Sequence, residues 1–355
     1  MKKIRVLVVD DSAFMRKVIP EMIQEDGEIE VIDTAKDGRE ALKKTLELKP
    51  DVVTLDVEMP EMDGLEAVAH IMSQKPTPIV MLSAHTKRGA DITIKSLEYG
   101  AVDFVCKPSG SISLDIKKVQ QELIEKIKAA KTVDASALTV INPEDAEPVA
   151  KEKAAEGLEN KVMVVIASST GGPRALSEII PKISRFLPAS FLVVQHMSPG
   201  FTKSLADRLN RQSLITVKEA EDGDEIKAGN VYLAPGNYHM EVVNRAGDYA
   251  ISLNQKPARH GVRPCADLTM FSAAKVFDGK IIGVILTGMG KDGAAGAEKI
   301  KEKKGTIIAQ DKGSCVIYGM PKIAVDKGIV DSVVSINVMS NTIELEINRA
   351  IEAIK

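Results

Sequence analysis

The stretch Val162-Met163-Val164-Val165-Ile166-Ala167 runs directly into Ser168-Ser169-Thr170-Gly171-Gly172-Pro173 and then into Arg174-Ala175-Leu176-Ser177-Glu178-Ile179-Ile180. Its first six residues are apolar without alternation, which suits a strand covered on both faces, and its last seven carry a helical pattern. In the turn between them the glycines permit a tight bend and close approach of a ligand. Pro173, early in the helix, costs no hydrogen bond, so backbone donors at the helix start are left to hold an anion. Strand, turn and helix in this order are the unit of a parallel α/β sheet. The turn suits a nucleophile or a phosphate cradle. A helix cap at Ser169 or Thr170 explains it equally, and two glycines are too few for a Rossmann or P-loop fingerprint.

Downstream, further buried runs at 191–194, 231–233, 281–286 and 306–309 alternate with helical patterns, so this half builds a second α/β sheet. Two short alternating runs, 238–243 and 249–253, joined by Asn244-Arg245-Ala246-Gly247-Asp248, read as an antiparallel hairpin. Upstream, runs at 4–9, 52–55, 79–82 and 104–105 alternate with amphipathic stretches up to about residue 131. Between about 132 and 160 the pattern gives way to Pro143, Pro148 and an Ala/Glu/Lys-rich run, read as a linker in which 149–157 suits a short docking helix equally well. The fold class expected is α/β, with two doubly wound parallel-sheet domains: 1–125, a linker over 126–159, and 160–355 carrying the hairpin.

Bulk properties bound what such a chain does. Its 355 residues suffice for two domains with their own cores. A formal charge of -3 with 27% charged residues leaves no basic excess for nucleic acid or an anionic membrane. No stretch approaches the roughly 20 apolar residues that cross a bilayer, so membrane association is expected only through a partner. The apolar run after Met1-Lys2-Lys3 ends at Asp10-Asp11, short of a signal peptide, and three widely spaced cysteines fit neither a disulfide framework nor zinc. A cytoplasmic location with reduced thiols is expected.

In the first half, Asp10 and Asp11 close the first strand, Asp56 the third, Ser83 the fourth, and Lys107 follows the fifth. The carboxyl edge of an open parallel sheet binds ligands, and clustered carboxylates there call for a hard cation such as Mg²⁺. Acid, hydroxyl and ammonium together describe phosphoryl transfer to a carboxylate. Each residue alone is more simply a cap or a turn; five strand ends in this order are not. With Met59-Pro60-Glu61-Met62-Asp63-Gly64 after the acceptor, the stretch resembles the receiver domains of response regulators, which are flavodoxin-like. The resemblance implies phosphorylation at Asp56, Mg²⁺ held by Asp11, Asp56 and the Glu58 carbonyl with help from Asp10, and switch roles for Ser83, Phe104 and Lys107. Glu58 departs from the smaller polar residues common at its position.

In the second half, Gln195-His196-Met197 ends a strand with one of only five histidines, and Thr287-Gly288-Met289-Gly290-Lys291-Asp292-Gly293 ends another with an acid. Serine, base and orienting acid make a triad in which histidine takes the serine proton and aspartate fixes its tautomer; a packed histidine and a capping Asp292 remain the plain alternatives. These stretches, together with Leu233-Ala234-Pro235-Gly236, His239-Met240-Glu241 and Asp292-Gly293-Ala294-Ala295-Gly296, resemble the catalytic domain of chemotaxis receptor methylesterases, a Rossmann-like serine hydrolase. The resemblance implies Ser169 as nucleophile, His196 as base, Asp292 as orienting acid, Met289 as a backbone oxyanion donor and Thr170 as an assistant, with no cofactor for the esterase. The family's Gly-Ala before the serine is Ala167-Ser168 here, which sets a second hydroxyl beside Ser169. The implied activity is hydrolysis of glutamate γ-methyl esters on methyl-accepting chemotaxis receptors, often with glutamine deamidation, gated by a receiver that a chemotaxis histidine kinase phosphorylates. A receiver-gated hydrolase for another ester or amide, and a non-catalytic adaptor, are the rival expectations. Arg259, His260 and Arg263 form a basic cluster, read either as lining the pocket or as solvated surface.

Overall fold

A computed structural model describes residues 2–107, 114–138, 158–245 and 247–353. The linker stretch with Pro143 and Pro148, including the helix considered at 149–157, and Pro108 after Lys107 lie outside the described residues. The chain divides into two compact units, Met1–Asp145 and Ala146–Lys355.

The first unit is a five-stranded sheet in the order β2-β1-β3-β4-β5, formed by β1 (Ile4–Val9), β2 (Ile29–Ala35), β3 (Val52–Asp56), β4 (Ile79–Ser83) and β5 (Asp103–Cys106). Every pairing is parallel. Val6 to Val9, Val52, Val53 and Leu55 are fully buried, as strands sandwiched between helices require. The helices are α1 (Met15–Gln24), α2 (Gly38–Leu48), α3 (Gly64–Gln74), α4 (Lys87–Glu98) and α5 (Leu114–Lys131), the last running past residue 125. Asp37, Asp63 and Thr86 cap α2, α3 and α4 by accepting from the backbone N–H three residues on. β2 and α2 have no counterpart among the runs read from sequence. β2 is the sheet edge and keeps only Ile29 and Ala35 buried, so its apolar signal is thin.

The second unit is a seven-stranded, all-parallel sheet in the order β14-β13-β12-β6-β7-β9-β8. Its centre is β6 (Val162–Ser168), flanked by β12 (Lys280–Ile285) and β7 (Ala189–Gln195). Beyond these lie β13 (Thr306–Gln310) with β14 (Ser332–Val334), and β9 (Asn230–Leu233) with β8 (Thr216–Glu219). The expected hairpin is present as β10 (His239–Arg245) and β11 (Asp248–Asn254), paired antiparallel and separate from the main sheet. Its buried face, Met240, Val242 and Ile251, joins one core with Ala266, Met270, Ala273 and Ala274 of α8 (Ala266–Val276). The remaining helices are α6 (Gly172–Ile179), α7 (Phe201–Gln212), α9 (Ala294–Glu302), α10 (Met320–Asp326) and α11 (Ile336–Glu352). Among the described residues no helix is long and apolar enough to cross a membrane.

Candidate active site

Because β12, β6 and β7 are neighbours and parallel, the segments that follow them meet at one sheet edge: the loop with Asp292, the turn with Ser169, and His196. Gly171, at φ +78, opens α6, a conformation that suits glycine. Gly172 is required for a different reason. A Cβ there would lie 1.9 Å from Gln195 Oε1.

That oxygen is occupied. Ser168, fully buried, donates its hydroxyl to Gln195 Oε1 at 2.7 Å, so the second serine is spent on structure. Gln195 Nε2 in turn donates to the carbonyls of Ser169 and His196, at 2.9 and 3.0 Å. One amide thus locks the serine turn to the strand end that carries His196. Ser169 itself is half-buried, and its N–H donates to the Thr287 carbonyl at 3.1 Å. The Thr287 hydroxyl donates to the Thr170 carbonyl at 2.9 Å, tying the turn to the loop after β12. Gly288 is pressed against this turn, since a Cβ there would come within 2.6 Å of Ser169 Cβ.

His196 meets Asp292 through Nε2, 2.8 Å from Oδ2. The nitrogen that faces the acid is therefore Nε2, and Nδ1 is left to face a substrate or serine proton. Among the described residues no hydrogen bond joins Ser169 Oγ to His196; the backbone joins them instead, through His196 N to Ser168 O at 3.1 Å. Catalytic hydrogen bonds of this kind often close only with substrate in place. Met289 has a half-exposed side chain and follows Gly288, whose own N–H is taken by Ile317 O. Among the described hydrogen bonds none uses the Met289 N–H.

Asp292 is 2% exposed and densely solvated by protein. Beyond His196 it accepts from the Ala266, Asp267 and Gly293 N–H groups and from the Cys265 thiol. Burial alone would raise its proton affinity. The hydrogen bond and charge of His196, the thiol and the amides outweigh it and hold the carboxyl well below the usual carboxylate range. Burial, reinforced by the adjacent Asp292 charge, pushes the Cys265 thiol up and keeps it protonated as a donor. Sequence reasoning gave no role to Gln195 or Cys265. The one signal for Gln195 was its place beside His196, and none marked Cys265.

The basic cluster divides. Arg263 is turned into its own loop, bonded to Asn237 Oδ1 and to the carbonyls of Gln255 and Lys256. His260 Nε2 lies 2.9 Å and Arg259 Nε 3.6 Å from Asp267 Oδ2. His239, buried, holds the Pro257 carbonyl through Nε2 at 3.2 Å.

In the first unit, Lys107 Nζ bridges Asp10 Oδ2 and Asp56 Oδ2, each at 2.7 Å. Burial, with Asp10 and Asp11 adding to it against the pull of Lys107, pushes the Asp56 carboxyl up to about 6. Asp10, Asp11 and Asp56 offer carboxylate oxygens within 4.8 Å of one another. Three acids against one ammonium, two of them buried, are a donor set that fits a hard divalent cation. The Glu58 side chain is exposed and stands outside this cluster. Ser83 Oγ accepts from Thr93 Oγ1 at 2.9 Å, and Phe104 is buried beneath Lys126, whose ammonium lies 5.2 Å from the ring centre. Gly64 allows α3 to start against the acceptor strand, where a Cβ would lie 2.3 Å from the Asp56 carbonyl.

A CheB methylesterase family model matches residues 164–343, and a response regulator receiver domain model matches residues 6–117. A protein-glutamate methylesterase/protein-glutamine glutaminase of Pyrococcus horikoshii is 51% identical over 342 residues, covering 96% of this chain and 93% of the relative. One of the same name from Thermotoga maritima is 50% identical over 330 residues, covering 93% and 94%. The crystal structure of the Thermotoga maritima CheB methylesterase catalytic domain aligns with a TM-score of 0.50 at 49% identity, covering 52% of this chain and 97% of that structure. The chain belongs to the CheB methylesterase family, with a response regulator receiver domain ahead of its methylesterase domain.

Proposed function

We propose that this chain is a phosphorylation-activated protein-glutamate methylesterase that hydrolyses glutamate γ-methyl esters on chemotaxis receptors to glutamate and methanol, and deamidates receptor glutamines to glutamate and ammonia. Its receiver spans 1–125, the linker 126–159 and the catalytic domain 160–355. The Asp292 to His196 contact carries this reading: a buried carboxylate with five hydrogen-bond donors, one of them a histidine at the end of the strand beside the serine turn.

In this reading Ser169 Oγ attacks the ester carbonyl carbon while His196 Nδ1 takes its proton. Asp292 holds the other ring proton on Nε2 and stabilises the imidazolium. The Met289 N–H, with Thr170 supporting the turn, stabilises the oxyanion, worth about 10²–10³-fold per donor. The intermediate collapses with loss of methanol, which takes the proton from His196. Water, deprotonated by the same base, then frees the glutamate carboxylate from Ser169. An amide substrate follows the same path and releases ammonia.

On the receiver, Asp56 accepts the phosphoryl group from a phosphohistidine of a chemotaxis kinase. Lys107 neutralises its developing charge, and Ser83 and Phe104 register the change. Asp10, Asp11, Asp56 and the Glu58 carbonyl would hold Mg²⁺, which supplies charge neutralisation for the transfer. A coupling of about 1–3 kcal/mol between the receiver and the hydrolase is the ordinary scale of such a gate. The test is methanol release from methylated receptor membranes with and without a small phosphodonor. Wild type should accelerate with phosphodonor and Ser169→Ala should be inactive; a fully active Ser169→Ala would move the nucleophile elsewhere.

A further inference from the structure

A second buried carboxylate stands beside Asp292. Asp267 is fully buried at the start of α8, its N–H donates to Asp292 Oδ1 at 2.9 Å, and its carboxylate lies within 4.8 Å of that of Asp292. The two acids have parallel surroundings. Asp292 has His196 Nε2 at 2.8 Å; Asp267 has His260 Nε2 at 2.9 Å, Arg259 Nε at 3.6 Å, and the Gly296 N–H at 2.7 Å. His260 makes this contact from a left-handed backbone conformation, φ +54. Two buried carboxylates this close repel strongly unless both are compensated, and a capping role alone would be met by a neutral serine or asparagine.

We propose that Asp267, with its partners Arg259 and His260, is a positioning residue that sets the electrostatic field on the Asp292–His196 couple and so the pH range in which His196 acts as base. This rests on the methylesterase reading above. The titratable and charged groups at the pair come from several elements: Arg259 and His260 on the preceding loop, the Cys265 thiol and His196, with His239 of the hairpin within reach of the Asp292 charge. A negative charge beside such a couple stabilises its positive form, and a positive charge opposes it.

The test is the pH profile of kcat for methanol release from methylated receptor membranes, measured on the full chain. Asp267→Asn should move the acid limb down by about half a unit to one unit, and Arg259→Gln should move it up by a similar or smaller amount. The double variant should return it towards wild type. Arg259 lies at the surface, its side chain 42% exposed and its guanidinium 5.1 Å from the Phe271 ring centre, so its variant should fold even where Asp267→Asn does not. If either single variant lowers kcat at every pH with the limb unmoved, Asp267 serves only the structure and the proposal is overturned. Ser169→Ala, run alongside, reports on the methylesterase reading itself.

Discussion

At the scale of single residues, the site depends on side chains beyond Ser169, His196 and Asp292. Gln195 makes three hydrogen bonds that align the serine turn with His196. Gln195→Leu strands a buried hydroxyl and loosens two carbonyls, and should cost about 1–3 kcal/mol in urea unfolding together with a large loss of kcat. Gly172→Ala should resemble it, because the added methyl displaces the amide oxygen that Ser168 needs. Asp292→Asn should lower kcat by about 10⁴-fold, since an amide no longer fixes the proton on Nε2. It also has a pH signature. The Asp292 carboxyl is depressed in the folded state, so its ionisation stabilises the fold above the ordinary carboxylate value near 4, and that contribution fades as pH falls below it. The stability gap between wild type and Asp292→Asn, measured by urea unfolding, should therefore shrink between pH 6 and pH 3, both values about the ordinary range. Ser169, His196 and Asp292 were legible as candidates because each follows a strand pattern; Gln195 and Cys265 were not, because their contacts exist only between segments distant in sequence.

At the scale of elements, α8 links the hydrophobic core to the chemistry. Its first turn supplies two of the amides that hold Asp292, while Met270 and Ala273 are fully buried beneath the hairpin and α9. Gly296 makes the close approach of α9 possible, since a Cβ there would meet Met270 Cβ at 2.5 Å. Gly296→Val should cost about 1–3 kcal/mol by overpacking, and thermal unfolding would read it as a lower Tm. It should also lower kcat, because moving α8 moves the donors to Asp292 and detaches Asp267 from the Gly296 N–H. Core strands declared themselves as unbroken apolar runs. β2, β8 and β14 did not, since each is a sheet edge with few fully buried residues, so burial left little mark on their composition.

At the scale of the whole molecule, two parallel sheets each present their chemistry at the carboxyl edge, where successive strands deliver side chains to one line. Chelation of divalent cations with EDTA should abolish acceleration by a phosphodonor and leave basal methanol release intact, because the acid cluster lies in the first unit and the proposed hydrolysis draws on Ser169, His196 and Asp292. Asp56→Ala should show the same basal rate and the same lack of response; a variant that still accelerates would place the phosphoacceptor elsewhere. The sequence by itself determined the two α/β units, the residues that end their central strands, and the family, because local apolar periodicity and contiguous motifs survive in one dimension. Only the tertiary structure decided that Ser168 is bound to Gln195, that His196 meets Asp292 through Nε2, and that Asp267 shares the site with Asp292. These relations join segments up to about a hundred residues apart in sequence, and no local pattern encodes which side chains converge once neighbouring strands align.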